Sequence, residues 1–297
     1  MDRVMLIDSK NFAWRANVLF KPKKQIEGYE DDKKEEPAKA TPPENVVIYN
    51  YFRNLRALLE PFAPHKVIDV RDGHPTFRYE LLPSYKENRL VKTAAKEPTK
   101  ADLSKAEAKA RFDLAYPEIR RLMKFLPVCT AVHPNYEADD VIGSLVEDLK
   151  DEDVIVVSGD SDLIQLAQKG YANLRLYHPI KKTMQTPPAY SYLAWKCLAG
   201  DKTDVIPSLM SNAKAEKLAS DPEALKKWLE IEENRANFAI QRQLIELAQV
   251  PLDEVEFETN TADWDRLKLE FEQLEFATIV APDYWARFRS TFNTIRF

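Results

Sequence analysis

Acidic residues recur along this chain in short, tightly spaced groups. They are Asp8 in LID, Asp69 and Asp72 in DVRD, Glu137, Asp139 and Asp140 in YEADDVIG, Asp160 and Asp162 in SGDSD, and Asp201 and Asp204 in GDKTD. A lone aspartate after a strand is ordinarily a helix cap or a turn former. Caps do not explain acidic pairs that recur, because like charges brought together raise one another's pKa and destabilise the fold. Carboxylates converging on one rim need counter-charge, and Mg²⁺ takes a few carboxylates and completes its shell with water. Two such ions about 4 Å apart can activate a water and stabilise the leaving oxygen of a phosphodiester. The chemistry indicated is metal-dependent phosphoryl hydrolysis. The four histidines (His65, His74, His133, His178) show no zinc spacing, so oxygen ligands and Mg²⁺ or Mn²⁺ are expected.

Spacing refines this reading. Glu137 and Asp140, three apart, would share a helix face, with Asp139 off that face and available to a second ion or a water. In SGDSD the i, i+2 pair sits at a strand-to-helix turn that Gly159 relaxes. FRYELLPSYKENR carries Arg78, Tyr85, Lys86 and Arg89 around Pro83, which interrupts any helix there. Lys86 and Arg89 at i, i+3 can face one way, and cations there would stabilise charge developing on a phosphate. Tyr85 offers a face on which a base could stack. The plain alternative is an amphipathic turn with solvated cations.

Positioning these groups requires strands that end where the acids begin. Strands are predicted at Val4–Ile7, Lys66–Val70, Val128–Val132, Val154–Val157 and Leu174–Tyr177. They alternate with helical patterns at Asn45–Leu59, Tyr116–Phe125, Ala138–Leu149 and Ala189–Ala199. The alternation predicts an α/β fold, a central mostly parallel sheet with helices on both faces. In such a sheet, ligands gather beyond the carboxyl ends of the strands. After residue 200 the strand pattern stops and amphipathic stretches at Glu223–Leu229, Asn237–Gln249 and Asp263–Leu274 predict a C-terminal helical subdomain. The expected division is therefore 1–200, an α/β core, and 201–297, a helical part; the family resemblance set out below implies that the first is catalytic and the second binds DNA. Residues 21–43, charged and proline-bearing, are expected to be a mobile loop. Residues 89–112, rich in Lys, Ala and Glu, read as a solvated helix, a disordered loop or an arch over a site.

The bulk numbers set limits. The chain has 297 residues and a formal charge of −5, which argues against binding nucleic acid through its global field. Between Arg78 and Lys124, however, twelve basic residues face seven acidic ones. Cys129 and Cys197 both lie in apolar stretches, predicting buried reduced thiols and a reducing compartment. No apolar run approaches the roughly 20 residues that span a bilayer, and the first residues lack a signal-peptide pattern. The expected location is the cytoplasm, with no membrane partner.

With these motifs in order, the chain resembles the 5′-nuclease family, which takes in flap endonucleases, the 5′-exonuclease domain of bacterial DNA polymerase I, phage exonucleases and phage RNase H. The likeness runs from Asp8 to about Phe276 and rests on FRYELLPSYKENR, YEADDVIG, SGDSDLIQL and LAGDKTDVIP. Short and without a polymerase domain, the chain looks most like the phage members. The resemblance implies a PIN-like core and a 5′-3′ exonuclease or flap endonuclease. It implies metal-site carboxylates at Asp8, Asp72, Glu137, Asp139, Asp140, Asp160, Asp162, Asp201 and Asp204, with Asp69 the rival of Asp72. Lys86 and Arg89 match the basic residues at the scissile phosphate, Arg78 begins the same motif, Tyr85 matches a stacking tyrosine, and 89–112 an arch. Two Mg²⁺ or Mn²⁺ ions are the implied cofactors. The implied partner is a DNA or RNA–DNA duplex with a 5′ end or flap, in phage or bacterial replication. Single-strand-binding or clamp partners are left open.

One departure stands out. The family follows GDxxDNIPG with a glycine-rich hairpin that grips duplex backbone. Here the text is GDKTDVIPSLMSNAKAEKLA, and none of the six glycines lies beyond Gly200. That grip and its K⁺ site are not carried over. Two other readings are a binding protein of the same fold without turnover and a broader PIN-like ribonuclease, whose domains are usually shorter.

Overall fold

The computed structural model describes residues 1–18, 42–87 and 100–296. Runs such as VMLI and VIVV are β-branched and aliphatic without a helical period, so they extend and pair. They form β1 (Arg3–Asp8), β2 (Lys66–Arg71), β3 (Cys129–Val132), β4 (Asp153–Val157), β5 (Leu174–His178), β6 (Thr183–Met184) and β7 (Glu256–Thr259). The sheet order is β6-β5-β4-β1-β2-β3-β7. Its five middle strands are parallel, and β6 and β7 close the edges antiparallel. Val4, Leu6, Ile68, Val70, Val154 and Val156 share one buried face with Val141, Ile142, Leu145 and Val146. The alternate residues Met5, Ile7, Val67, Ile155 and Val157 are fully buried as well. Burial on both sides is why these strands read as continuous apolar runs.

The helices are α1 (Ser9–Val18), α2 (Pro43–Phe62), α3 (Thr76–Leu81), α4 (Lys100–Met123), α5 (Ala138–Asp148), α6 (Ile164–Ala167), α7 (Tyr192–Ala199), α8 (Asn212–Ala219), α9 (Pro222–Trp228), α10 (Glu232–Ile245), α11 (Trp264–Gln273), α12 (Ala277–Val280) and α13 (Pro282–Ser290). None is long and apolar enough to cross a membrane, among the described residues. Cys129 and Cys197 are buried and free, and burial pushes the Cys197 thiol up to about 12.

The chain forms two compact units. One contains the whole sheet and comprises residues 1–11, 65–96 and 129–259; the other comprises 12–64, 97–128 and 260–297. In the second, α2 buries Val47, Tyr51, Phe52 and Leu55. Phe52 meets Phe271 of α11 edge-on at 5.0 Å, and Tyr51 Oη donates to Met123 Sδ of α4 at 3.6 Å. Each such buried side chain contributes about 1.5–3 kcal/mol. Ion pairs with an exposed partner, such as Arg121–Glu270, contribute about 0–1. The aromatic layer therefore dominates.

Several expectations need correction. Beside an expected division at residue 200, residues 201–259 lie in the unit that holds the sheet and 260–297 in the other. A strand, β7, lies beyond residue 200; its exposed residues carry little apolar signal. The helix predicted at Tyr116–Phe125 begins at Lys100, because the Lys/Ala/Glu segment before it has high helix propensity. The expected loop 21–43 lies outside the described residues up to residue 41, as do residues 89–99 of the expected arch.

Candidate active site

The chain runs from β1 to β2 and β3 on one side, then returns to β4 and β5 on the other. The strand order reverses between β1 and β4, where open α/β sheets leave a crevice beyond the carboxyl ends. Asp8 ends β1 and lies beside Ser158, since Ile7 pairs with Val157. Ser158 Oγ donates to Asp8 Oδ2 at 2.8 Å and accepts from Asp160 N at 3.0 Å. Gly159 N donates to Asn11 Oδ1 at 2.8 Å, and Asn11 N donates to Asp8 Oδ1 at 3.1 Å. Asp162 N donates to Asp160 Oδ1 at 3.0 Å. This network fixes SGDSD against the end of β1.

Asp72 arrives from β2. Gly73 N donates to Tyr136 O at 2.9 Å, and a Cβ on Gly73 would lie 1.9 Å from His133 O. Only glycine permits that approach. Asp72 Oδ1 then accepts from Ala138 N at 3.1 Å at the start of α5. Asp69, the rival, is buried within β2 and accepts from Arg71 Nε at 3.0 Å.

Asp8, Asp72, Asp139, Asp160 and Asp162 act on one another electrostatically. Burial, and then Asp72, push the Asp8 carboxyl up to about 7. Burial, and then Asp160, Asp8, Asp162 and Asp72, push Asp139 well above the usual range. Asp139 Oδ1 is buried and has no hydrogen-bond partner among the described residues. An acceptor in that position has surrendered water and gained nothing in return. An all-oxygen donor set around an orphaned buried carboxylate oxygen suits a hard divalent cation. The residues present fit one.

A second group lies next to the first. Asp162, Asp201 and Asp204 each offer an oxygen within 4.8 Å of the others. The GDKTDVIP loop that carries two of them closes through Ile206 N to Asp201 O at 2.7 Å and Asp201 N to Ile206 O at 3.0 Å. Gly200 makes the closure possible, with φ 71° and room for no Cβ, which would sit 2.6 Å from Pro207 O. Lys196 of α7 pairs with Asp162 and lies 2.7 Å from Asp201 Oδ2. Burial and Asp160 push Asp162 up to about 6 despite Lys196. Burial also opposes ionisation at Asp201, but Lys196 and the Thr203 and Asp204 amides outweigh it and hold that carboxyl below its usual value.

Glu137 and Asp140 turn the other way. Glu137 caps α5 in a reciprocal box with Asp140. Asp140, fully buried, accepts from Arg78 Nη1 at 2.5 Å, Arg78 Nη2 at 2.7 Å and Ala248 N at 2.8 Å. Arg78 Nη1 also reaches Glu137 Oε2 at 3.1 Å, and Arg78 Nε donates to Leu244 O at 2.9 Å. Tyr85 Oη donates to Glu137 Oε2 at 2.8 Å and Asp204 Oδ2 at 3.3 Å. Lys86 Nζ pairs with Glu137 and lies 3.7 Å from Asp204 Oδ2. Burial opposes ionisation of Glu137, yet Lys86 and Arg78 hold it below its usual value.

Four expected site residues, Glu137, Asp140, Arg78 and Tyr85, are thus tied to one another in a network of their own. Asp140 is not turned toward the other acids, because Arg78 and a backbone amide saturate it, and Asp139 faces the cluster instead. Arg78 is 3% exposed and committed to Asp140, so it has no surface to offer a nucleic acid. Tyr85, also 3% exposed, has no open face for stacking. Arg89 lies outside the described residues. Lys196 was missed; its signal was one charge inside the apolar run YLAWKCLAG.

Comparison with known proteins fits this geometry. The family model described as "5'-3' exonuclease, N-terminal resolvase-like domain" matches residues 3–192. DNA polymerase I of Streptococcus pneumoniae (strain ATCC BAA-255 / R6) is 30% identical over 221 residues, covering 70% of this chain and 22% of that protein. A 5'-3' exonuclease of Mycobacterium tuberculosis is 31% identical over 160 residues, 46% of this chain and 48% of the other. The chain thus spans about a fifth of the polymerase and about half of the exonuclease. Among solved structures, the T5 D15 protein co-crystallised with metal ions superposes with TM-score 0.59 at 15% identity, covering 98% and 99% of the two chains. Human GEN1 in complex with Holliday junction DNA gives 0.51 at 12% identity, covering 98% and 72%.

Proposed function

The chain belongs to the 5'-3' exonuclease N-terminal resolvase-like domain family, and from that premise we propose that it is a divalent-metal-dependent 5′-nuclease. Its substrates are phosphodiesters at or near the 5′ end of duplex or branched DNA or RNA–DNA. The observation that carries this reading is the gathering of Asp8, Asp72, Asp139 and Asp160 at the sheet's switch point, where the buried Asp139 Oδ1 finds no donor among the described residues.

Asp8, Asp72, Asp139 and Asp160 would hold one ion, and Asp162, Asp201 and Asp204 a second. Bound there, the ions supply Lewis acidity and a water acidified toward neutral pH. The remaining work belongs to side chains. Lys86, oriented by Glu137 and Asp204, brings positive charge to the same rim, where a phosphate would gain negative charge on attack. Arg78 fixes Asp140 and Glu137, and so the start of α5 from which Asp139 projects. Tyr85 links Glu137 to Asp204 and holds α5 and the GDKTDVIP loop in register.

The test is Asp139→Asn. Mg²⁺-dependent release of nucleotides from a 5′-labelled duplex is expected to fall by at least about 10³-fold, as when a charge-stabilising group is removed. Its circular dichroism spectrum is expected to match wild type. Cleavage at the wild-type rate would refute the assignment. A panel of 5′-flap, nicked, gapped and RNA-primed duplexes then distinguishes exonuclease from flap-endonuclease preference.

A further inference from the structure

The two groups of acids differ in what neutralises them. Lys196 carries a side chain only 8% exposed, contacts Asp162 and lies 2.7 Å from Asp201 Oδ2. Those are two of the three carboxylates whose oxygens are spaced to surround one ion. Asp8, Asp72, Asp139 and Asp160 have no buried ammonium among the described residues. The ion pair that reaches them there is Lys10 Nζ to Asp72 Oδ2, at 3.7 Å, from a lysine side chain 55% exposed. Asp139 Oδ1 has no donor among the described residues. One position is short of positive charge, and the other already holds it.

We propose that Lys196 is the built-in counter-ion of the second cation position, competing with a divalent ion for Asp162 and Asp201. The two positions then fill in sequence, that of Asp8, Asp72, Asp139 and Asp160 first. This rests on the nuclease reading above. A dication and an ammonium sharing two carboxylates would stand about 4 Å apart and repel strongly away from bulk water. Either the ammonium swings off or the ion binds weakly. A substrate phosphate adds negative charge that can hold both cations, so full occupancy is coupled to substrate. Lys196 keeps the second position weak for metal until a substrate phosphate is there to share.

The experiment titrates the whole chain with Mn²⁺ alone, followed by calorimetry and electron paramagnetic resonance. Wild type is expected to show one tight and one weak site. Lys196→Met is expected to tighten the weak site by on the order of tenfold or more, leaving the tight one unchanged. Two equal sites in wild type, or a second site in Lys196→Met no tighter than before, overturns the proposal. If Lys196→Met does not fold without metal, the ¹⁵Nζ resonance of Lys196 in the wild-type chain decides. It is expected to move with the second equivalent of Mg²⁺ and not with the first, and indifference to both overturns the proposal equally. A wild-type chain that binds no Mn²⁺ sinks the nuclease reading together with this one. A chain that binds and cleaves, with Lys196→Met unchanged, removes only the counter-ion role.

Discussion

At Asp140 both carboxylate oxygens are taken by Arg78, and Ala248 N adds a third donor. Removing that carboxylate takes from a buried guanidinium its bidentate partner and leaves it only Glu137 Oε2 at 3.1 Å, a loss of about 3–5 kcal/mol. Asp140→Ala is therefore expected to shift urea unfolding by that amount, and Mg²⁺ should not restore it. A variant as stable as wild type would mean that Glu137 alone compensates the Arg78 charge. Asp8 poses the opposite case, since its carboxyl is raised from 3.8 to about 7 by burial and then by Asp72. Between those two values the folded state keeps a proton that the unfolded state has released. Stability then falls as pH rises, because the native state binds more protons. In EDTA, thermal midpoints of wild type are expected to drop relative to Asp8→Asn from pH 4 to pH 7, and Mg²⁺ should reduce that drop. A constant gap between the two proteins across that window would show that Asp8 ionises normally.

Val205 follows Asp204 with φ 62°, a left-handed conformation for a β-branched residue. That conformation costs roughly 1–2 kcal/mol for a residue with a Cβ, and more crowding is expected when the Cβ is branched. It persists because the residues on either side are held, Asp204 O by Lys86 N at 3.0 Å and Ile206 N by Asp201 O at 2.7 Å. Asn tolerates this region far better, so Val205→Asn is expected to raise stability by about 1 kcal/mol. Cleavage should be unchanged, and a denaturant melt with no gain would show the strain is relieved elsewhere. The same elements explain what could be read from residues alone. Parallel strands buried on both faces leave continuous apolar runs, and the acids follow where those runs stop, so Asp8, Asp72 and Asp160 were visible. Which side of α5 meets the other acids was not, because the spacing that pairs Glu137 with Asp140 and sets Asp139 apart does not say that Arg78 takes the pair. Lys196 was hidden for a related reason: its counter-charges, Asp162 and Asp201, come from separate loops.

At the scale of the molecule, the question is which residues must be present for the acids to meet. Every carboxylate assigned to the site lies in the unit built from residues 1–11, 65–96 and 129–259. The last third of that unit is not an appendage. β7 pairs antiparallel with β3, Val132 opposite Glu256, and covers an otherwise open edge. Leu244 O accepts from Arg78, Ala248 N donates to Asp140, Ile245 O accepts from Gln165 Nε2 at 3.0 Å, and Val250 N donates to Ser144 Oγ at 2.8 Å. A chain cut after residue 200 loses all four partners and both acids of the GDKTD loop. Each buried group left unpaired costs about 1–3 kcal/mol, and the three left so, Arg78 Nε, Gln165 Nε2 and Ser144 Oγ, together approach the roughly 5–15 kcal/mol by which a domain is stable at all. Residues 1–200 alone are therefore expected to aggregate or to melt without a cooperative transition, with no shift on adding Mg²⁺. Size-exclusion chromatography and thermal melts of that fragment check this directly. A monomeric fragment that bound Mn²⁺ like the whole chain would return the boundary to residue 200 and make residues 201–259 an accessory.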